Sequence, residues 1–301
     1  MAYLIPPAPH SVGGTTKGVR FTVNNNDTNG AISGLNIYPN NRSFTGNFAL
    51  KFDLWINYPG GAGGINSTGS TQHAIFGINH LGTQPNWAAT SASSTDGIWF
   101  GVDGEGGTSR DYRAYVGNLA GVQAELIGFG AGGPEESNNT AAIYQTLFPS
   151  SRFESAGAPG KNWVAGEVRQ VHGVITWKLD DTVIAQRTNV SSFTAGDVML
   201  GYMDTFTSIA HPGTDAFVIF ENVRVENLNP PVLRLDSILI LTNGQVQMNI
   251  AGALSNNYFI EASDNLTNWQ PVTVSVDSID PFSFVDPEAP NYSRRFYRAR
   301  Q

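Results

Sequence analysis

The sequence predicts an all-β protein, a large antiparallel β-sandwich followed by a smaller one, and three observations carry that expectation. Apolar residues through the first three quarters of the chain recur with period two or in short runs, and almost nowhere at helical spacing. Turn-forming pairs punctuate those runs, among them Pro59-Gly60-Gly61, Asp103-Gly104, Gly106-Gly107 and Asp180-Asp181. Finally, two hairpins follow one another directly. The His172-Gly173 pair separates Val168–Val171 from Val174–Trp177, and Asp180-Asp181 separates Trp177–Leu179 from Thr182–Ile184. Parallel pairing needs crossovers of a dozen or more residues, so neighbours joined this tightly are antiparallel.

Taken in order, the expected strands of the large sandwich are Val19–Val23, Phe48–Ile56, Ala74–Ile78, Gly97–Val102, Tyr112–Val116, Trp163–Val171, Val174–Leu179, Thr182–Ala185, Val198–Tyr202 and Phe217–Val225. One helix is expected, at Asn139–Leu147. Asn227-Leu228-Asn229-Pro230-Pro231 reads as a linker, because two prolines deny ladder hydrogen bonds and stiffen the connection. The organisation is therefore an extension at 1–16, a sandwich domain at 17–226, the linker at 227–231 and a module at 232–301. Strands of the last module are expected at Val232–Leu241, Gln245–Ile250, Tyr258–Ala262, Trp269–Val276, Phe282–Val285 and Arg295–Ala299, which suits a small immunoglobulin/fibronectin-like β-sandwich.

Composition narrows the function classes. Only 14% of the 301 residues are charged and 33 are glycine, which excludes a coiled coil, a charged disordered tail and a helical repeat array. The net charge of −8 and the lack of any Lys/Arg run argue against nucleic acid as a partner. No apolar stretch approaches the roughly 20 residues of a membrane span, and the first residues lack the pattern of a signal peptide. The Asn, Ser, Thr and Gly content has the character of an extracellular surface, so a secreted or extracellular protein whose signal peptide has been removed is expected. With no cysteine there is no disulfide, thiolate nucleophile or Cys-bound zinc.

The hairpin Gly173-Val174-Ile175-Thr176-Trp177-Lys178-Leu179-Asp180-Asp181-Thr182-Val183-Ile184-Ala185 and the strand Phe217-Val218-Ile219-Phe220-Glu221-Asn222-Val223-Arg224-Val225 resemble the corresponding segments of concanavalin A-like, laminin-G-like jelly rolls. In particular they are similar to the secreted domains of that superfamily from Verrucomicrobia and Planctomycetes. The run Tyr258-Phe259-Ile260-Glu261-Ala262-Ser263-Asp264-Asn265-Leu266-Thr267-Asn268-Trp269, with Arg295-Phe296-Tyr297-Arg298, is similar to small β modules that end exported proteins of the same bacteria. The resemblance implies an antiparallel jelly-roll β-sandwich over residues 17–226 and a carbohydrate-related role, which in this superfamily spans lectins, binding modules, adhesion domains, hydrolases and lyases. The paired-carboxylate strand of its hydrolases, Glu-x-Asp-x-x-Glu, does not occur here. The Gln170-Val171-His172 triplet echoes one strand of its alginate lyases, but the companion Arg-rich and Tyr-rich strands are missing and His172 falls at a hairpin turn.

Residues 73–115 are the richest in chemistry. Aromatic rings stack on the apolar faces of sugars while carboxylates and guanidinium groups bond hydroxyls. Trp87, Trp99, Tyr112, Arg113 and His80 are accordingly the candidate ligand-binding residues, and Asp103, Glu105 and Asp111 the candidates if the chain is catalytic. Two sets of oxygen donors could hold calcium. Asn25-x-Asp27-x-Asn29-Gly30 follows the first half of a calcium loop, and Asp204 with Asp215 brackets a long loop. The expected role is binding of a polysaccharide or cell-surface glycan, or surface adhesion, without catalysis. A polysaccharide-degrading enzyme and a self-associating structural protein, joined through exposed edge strands, are the alternatives.

Overall fold

The computed structural model describes residues 4–11, 17–25, 32–59, 70–87, 95–108, 110–118, 125–126, 136–205, 212–229, 234–251, 258–275 and 282–300. The chain divides into two compact units, 1–228 and 229–301.

In the first unit two antiparallel sheets face each other. The first sheet contains β1 (Val19–Phe21), β13 (Phe217–Asn227), β3 (Phe48–Asn57), β9 (Trp163–Val171), β10 (Val174–Leu179) and β11 (Thr182–Thr188), in that spatial order. The second contains β2 (Ser33–Ile37), β12 (Asp197–Asp204), β4 (Gln72–His80), β5 (Thr95–Asp103), β6 (Tyr112–Asn118) and β7 (Glu125–Leu126), with β8 (Glu136–Ser137) also on β6. Both expected hairpins form. His172 and Gly173 have φ of 49° and 76°, Asp180 and Asp181 φ of 41° and 63°, the paired positive angles that match the twist of two-residue turns. The helix is α1 (Ala142–Leu147), shorter than its sequence signal. The strand β2 was not foreseen: it lies at a sheet edge, and no residue of Ser33-Gly34-Leu35-Asn36-Ile37 is buried, so it lacks the apolar alternation of a core strand.

Between the sheets, alternate residues of each strand interlock around aromatic rings. Phe52 of β3 lies 4.8 Å from Phe76 of β4 and 5.2 Å from Phe220 of β13, centroid to centroid, and Trp177 of β10 lies 5.6 Å from Phe76 and 5.0 Å from Phe100 of β5. Leu50, Leu54, Val168, Ile98 and Val218 fill the rest of this layer. The second sheet is buried on its other face too, where Ile75, Trp99, Tyr115, Met199 and Met203 form a cluster with the half-buried Tyr38 and Trp87 against it. All nine residues of β4 are buried, which is why Ala74-Ile75-Phe76-Gly77-Ile78 reads as a continuous run and not as an alternation.

The other face of the first sheet is treated differently. Residues 4–11 pack on it as a strap: Ile5 and Ala8 join Trp55, Trp163 and Phe217, Trp163 Nε1 donates to the Pro6 carbonyl at 2.7 Å, and Ser11 Oγ donates to Glu221. His10 contributes its backbone N–H at 3.1 Å and Nδ1 at 2.6 Å to the buried Asp53 carboxylate. Beyond the strap the face carries alternating charge, Lys51 lying 2.6 Å from Glu226 and 3.6 Å from Glu167.

The second unit has two three-stranded sheets, β14 (Arg234–Ile240), β15 (Val246–Ala251), β18 (Phe282–Asp286) and β17 (Gln270–Ser275), β16 (Tyr258–Ser263), β19 (Phe296–Arg300). Met248, Ile250 and Ile260 are the centre of its small core. The sequence motif noted above resolves into one contact set: Arg298 pairs with Glu261 at 2.7 Å and lies 4.2 Å over the Trp269 ring, while Asp286 holds Arg295 at 2.6 Å and accepts from Tyr297 at 3.0 Å.

Because Trp177 is fully buried and reaches from the first sheet to the rings of Phe76 and Phe100 on the second, Trp177→Ala is expected to cost about 3–5 kcal/mol, read as a fall in the urea midpoint of the first unit.

Candidate functional site

The three candidate acids are brought to one end of the sandwich, and all three are buried. Asp103 closes β5, and its Oδ1 accepts from the N–H groups of Glu105 at 2.7 Å and Gly106 at 3.2 Å, a turn that Gly106 permits with φ of 69°. Glu105 accepts from the Ser70 N–H, and Asp111 Oδ2 from the Asn139 N–H at 2.7 Å. The backbone thus fixes one oxygen of each carboxyl, leaving Asp103 Oδ2, Glu105 Oε2 and Asp111 Oδ1 buried without a hydrogen-bond partner. Burial raises all three, Asp103 further through the charges of Glu105 and Asp111, and Asp111 is pushed up to about 6. A glycosidase pair must flank a bound glycosidic bond; these groups have no solvent-facing surface from which to do so.

Two expected stacking residues differ from expectation in the same way. Tyr112 points into the core, stacked on Tyr144 at 3.6 Å with its OH donating to the Gly157 carbonyl, because it occupies an inward position of β6. Trp99 points to the opposite face but is fully buried there, stacked on Tyr115 at 4.0 Å. Neither presents a ring face to solvent. Arg113 is also buried, donating from Nη1 to Tyr115 OH at 3.0 Å and from Nε to the Arg110 carbonyl at 3.1 Å and His73 at 3.3 Å. Burial, and then the guanidinium beside it, lower His73 to about 3.

His80 anchors a network at the other end of β4. Its Nδ1 meets Asp96 Oδ1 at 2.9 Å, and Asp96 Oδ2 accepts from the Leu81 N–H at 2.7 Å. Asn86 bridges outward: its amide nitrogen lies 2.6 Å from Asp96 Oδ1 and 2.7 Å from Tyr38 OH, and its oxygen accepts from the Asp96 N–H at 2.8 Å. Burial lowers His80. It pushes Asp96 upward, but the bonds from His80, Asn86 and Leu81 outweigh that, and Asp96 ends below its ordinary value. The pair is therefore a neutral imidazole on a carboxylate. Glycine makes room for it: a Cβ on Gly77 would lie 2.6 Å from His80 Nε2, and one on Gly97, whose φ is 70°, would also meet the ring.

This network forms the rear of an open groove of about 550 Å³ between the turn after β2 and the turn after β4. Asn36, Tyr38, Asn41, Arg42, Thr83 and Asp197 contribute its polar lining. Tyr38 OH donates to the Gln84 carbonyl at 2.7 Å, so the two turns are tied together. Trp87 lies against Gly34, two residues before Asn36 on β2 and so about 7 Å along the strand. Of the candidate ligand-binding residues, Trp87 is only partly buried and His80 stands behind the groove. Asn36, Tyr38, Arg42, Asn86 and Asp197 were not singled out; Pro39-Asn40-Asn41 is a turn signal that marks the rim, but nothing in the local sequence links it to Asp197.

Of the oxygen donors expected to hold calcium, Asn25, Asp204 and Asp215 lie among the described residues. Asp204 is buried and accepts from Thr71 Oγ1 at 2.6 Å and from Asn24, Asp215 lies in a short 3-10 turn with its carbonyl accepting from Asn57, and Asn25 donates to Thr22. Asp27 and Asn29 lie outside the described residues. Among the described residues no group of three or more His, Asp or Glu side chains is placed to hold a metal ion. Gln170 is structural, bridging Asn79 at 2.9 Å and the Gly46 and Thr194 carbonyls at 3.0 Å, and His172 is the turn residue its spacing predicts.

These burials set opposite pH dependences. A raised Asp111 favours the fold below its unfolded value near 3.8 and loses that contribution as pH rises through about 6. A depressed His73 contributes above 6.5 and loses its contribution as pH falls toward 3. Asp111→Asn keeps an acceptor for the Asn139 N–H and removes the first dependence, along with the part of the Asp103 rise that comes from the Asp111 charge. It is expected to reduce the Tm loss between pH 4.5 and 7.5 by about 4–8 °C, equivalent to about 2 kcal/mol, in thermal scans across that range.

No protein-family model matches the chain, and no curated protein matches it. Among solved structures it is similar to the carbohydrate-binding module CBM66 from Bacillus subtilis, with 13% identity over 70% of this chain and 92% of that one and a TM-score of 0.37. Similar values hold for the metal-free carbohydrate recognition domain of Emp46p, at 7% identity over 63% and 76% with a TM-score of 0.38. The alginate lyase from Corynebacterium sp. follows at 10% over 62% and 61%, with a TM-score of 0.33. The two-sheet architecture of this chain stands on its own strand pairing.

Proposed function

We propose that this chain is a secreted, non-catalytic carbohydrate-binding protein whose ligand lies in the groove between the turns after β2 and β4. The observation that carries the reading is the lining of that groove: amides, a phenol, a guanidinium and a carboxylate on an ordered backing, with the half-buried Trp87 packed at Gly34 on the strand that carries Asn36. Sugar recognition requires that combination, since hydroxyls need donors and acceptors in fixed places and the ring's apolar face needs an aromatic neighbour. The burial of Asp103, Glu105 and Asp111 weighs against the hydrolytic alternative. The resemblance of the jelly-roll hairpin to a superfamily rich in lectins and binding modules supports the same reading. In it the C-terminal unit, two facing three-stranded sheets, is a fibronectin-like spacer.

The test is affinity electrophoresis against a panel of soluble polysaccharides, with reducing ends assayed in the same samples. Wild type is expected to be retarded by at least one polymer without releasing ends. Trp87→Ala is expected to weaken that retardation about tenfold, or about 1.4 kcal/mol, at a temperature well below the Tm of the variant. Release of reducing ends would replace binding with catalysis, and retardation unaffected by Trp87→Ala would move the ligand elsewhere.

A further inference from the structure

One group in the groove has a hydrogen-bonding capacity that the protein does not use. Asp197 opens β12 and is only 8% exposed. Its Oδ1 is buried without a partner, and among the described residues no donor reaches either oxygen. A buried carboxylate without donors is costly, because the lost hydration is not replaced. The backbone nevertheless holds it there. Gly196, just before it, is clamped to Phe44 by two backbone bonds of 2.7 and 3.0 Å, and Asp197 is in register with His80 of β4. Across the groove wall Gly82, with φ of 74°, comes so close that a Cβ there would lie 2.5 Å from Asp197 Oδ2. The carboxylate is held in place by its backbone at the groove it lines, with Oδ1 buried and only Oδ2 left for a ligand.

The rest of the lining limits what can fill that vacancy. Arg42 is exposed and has no ion-pair partner within 4 Å among the described residues, so it and Asp197 do not neutralise each other. It is the one cationic side chain among the described residues of the lining. A carboxylate accepts and never donates, so whatever meets Asp197 must bring hydrogens. A second carboxylate or a sulfate at that point would be repelled, both by Asp197 and by a chain of net charge −8.

Resting on the carbohydrate-binding reading, we infer that Asp197 is the specificity-determining acceptor of the groove and that its ligand is an uncharged saccharide. A hydroxyl of one sugar ring donates to Oδ2, since Oδ1 is buried. Such charge-assisted bonds are shorter and stronger than neutral ones, and they discriminate against a ring whose hydroxyls are blocked or replaced by an acid. Arg42 and the asparagine amides supply donors to the remaining ring and linkage oxygens.

Titration calorimetry with laminarin, xylan and mannan, against polygalacturonate and dextran sulfate, tests this directly. Wild type is expected to bind at least one neutral polymer and to bind the acidic ones at least tenfold more weakly. Asp197→Asn, which turns one acceptor into a donor, is expected to lose at least tenfold in affinity for the neutral polymer while its Tm holds or rises. O-methylation of that polymer is expected to produce the same loss for wild type and little further loss for the variant. If Asp197→Asn folds poorly, Asp197→Ser provides the same comparison. Neutral binding that survives either substitution within twofold, or tighter binding of the acidic polymers, overturns the assignment while leaving the carbohydrate reading intact. Binding to none of the polymers overturns both.

Discussion

The dryness of both faces of the second sheet is the constraint on which the rest of the first unit depends. In an antiparallel sandwich one face of each sheet ordinarily meets water, and polar residues alternate outward. Here β4 and its neighbours have no wet face, so the polar side chains placed there turn to partners within the protein. His73 with Arg113 and Tyr115 is one such solution, and His80 with Asp96, Asn86 and Tyr38 is another. The glycines at 77 and 97 follow from it, since a buried imaginary Cβ at either place would collide with the His80 ring. A ligand is left with the periphery, where the network of His80 reaches the turns.

The same constraint explains how much could be read in advance. Strands whose inward residues alternate with others, such as β9, and hairpins built on His172-Gly173 and Asp180-Asp181 state their structure within a few residues, because turn geometry and period two are local properties. The edge strand β2 does not: its place is assigned by β12, some 165 residues later, and not by its own side chains. Candidate residues suffered from a different ambiguity. An aromatic at 99 or 112 reads the same whether its ring stacks on a sugar or on another ring; the inter-sheet core decides for Tyr112 and the sheet's second dry face for Trp99. Asp197 carried no signal at all, since its interest lies in donors that are missing.

Burial also separates two kinds of carboxylate in this chain. Asp53 and Asp96 are buried with donors supplied, His10 to the first and His80, Asn86 and Leu81 to the second. Asp103, Glu105 and Asp111 each receive backbone donors on one oxygen and nothing on the other, so the neutral form suits their surroundings. In the second unit the acids are spent on arginines. Glu261 and Asp286 hold Arg298 and Arg295, and the residues that made this segment recognisable from sequence are the ones that cross-link its strands.

The strap formed by residues 4–11 has a consequence for how the molecule assembles. Its anchors are Asp53, Trp163 and Glu221, up to 210 positions away along the chain, and β1 pairs only with β13. The strap therefore has no place to go until nearly the last strand of the unit exists. Contacts of such span are paid for in loop-closure entropy before they return anything, so folding of this unit is slow by topology. During that interval Trp55 and Phe217, which the strap covers in the finished molecule, stand exposed on a growing sheet, and the amino-terminal segment acts as the last seal on its own nascent surface.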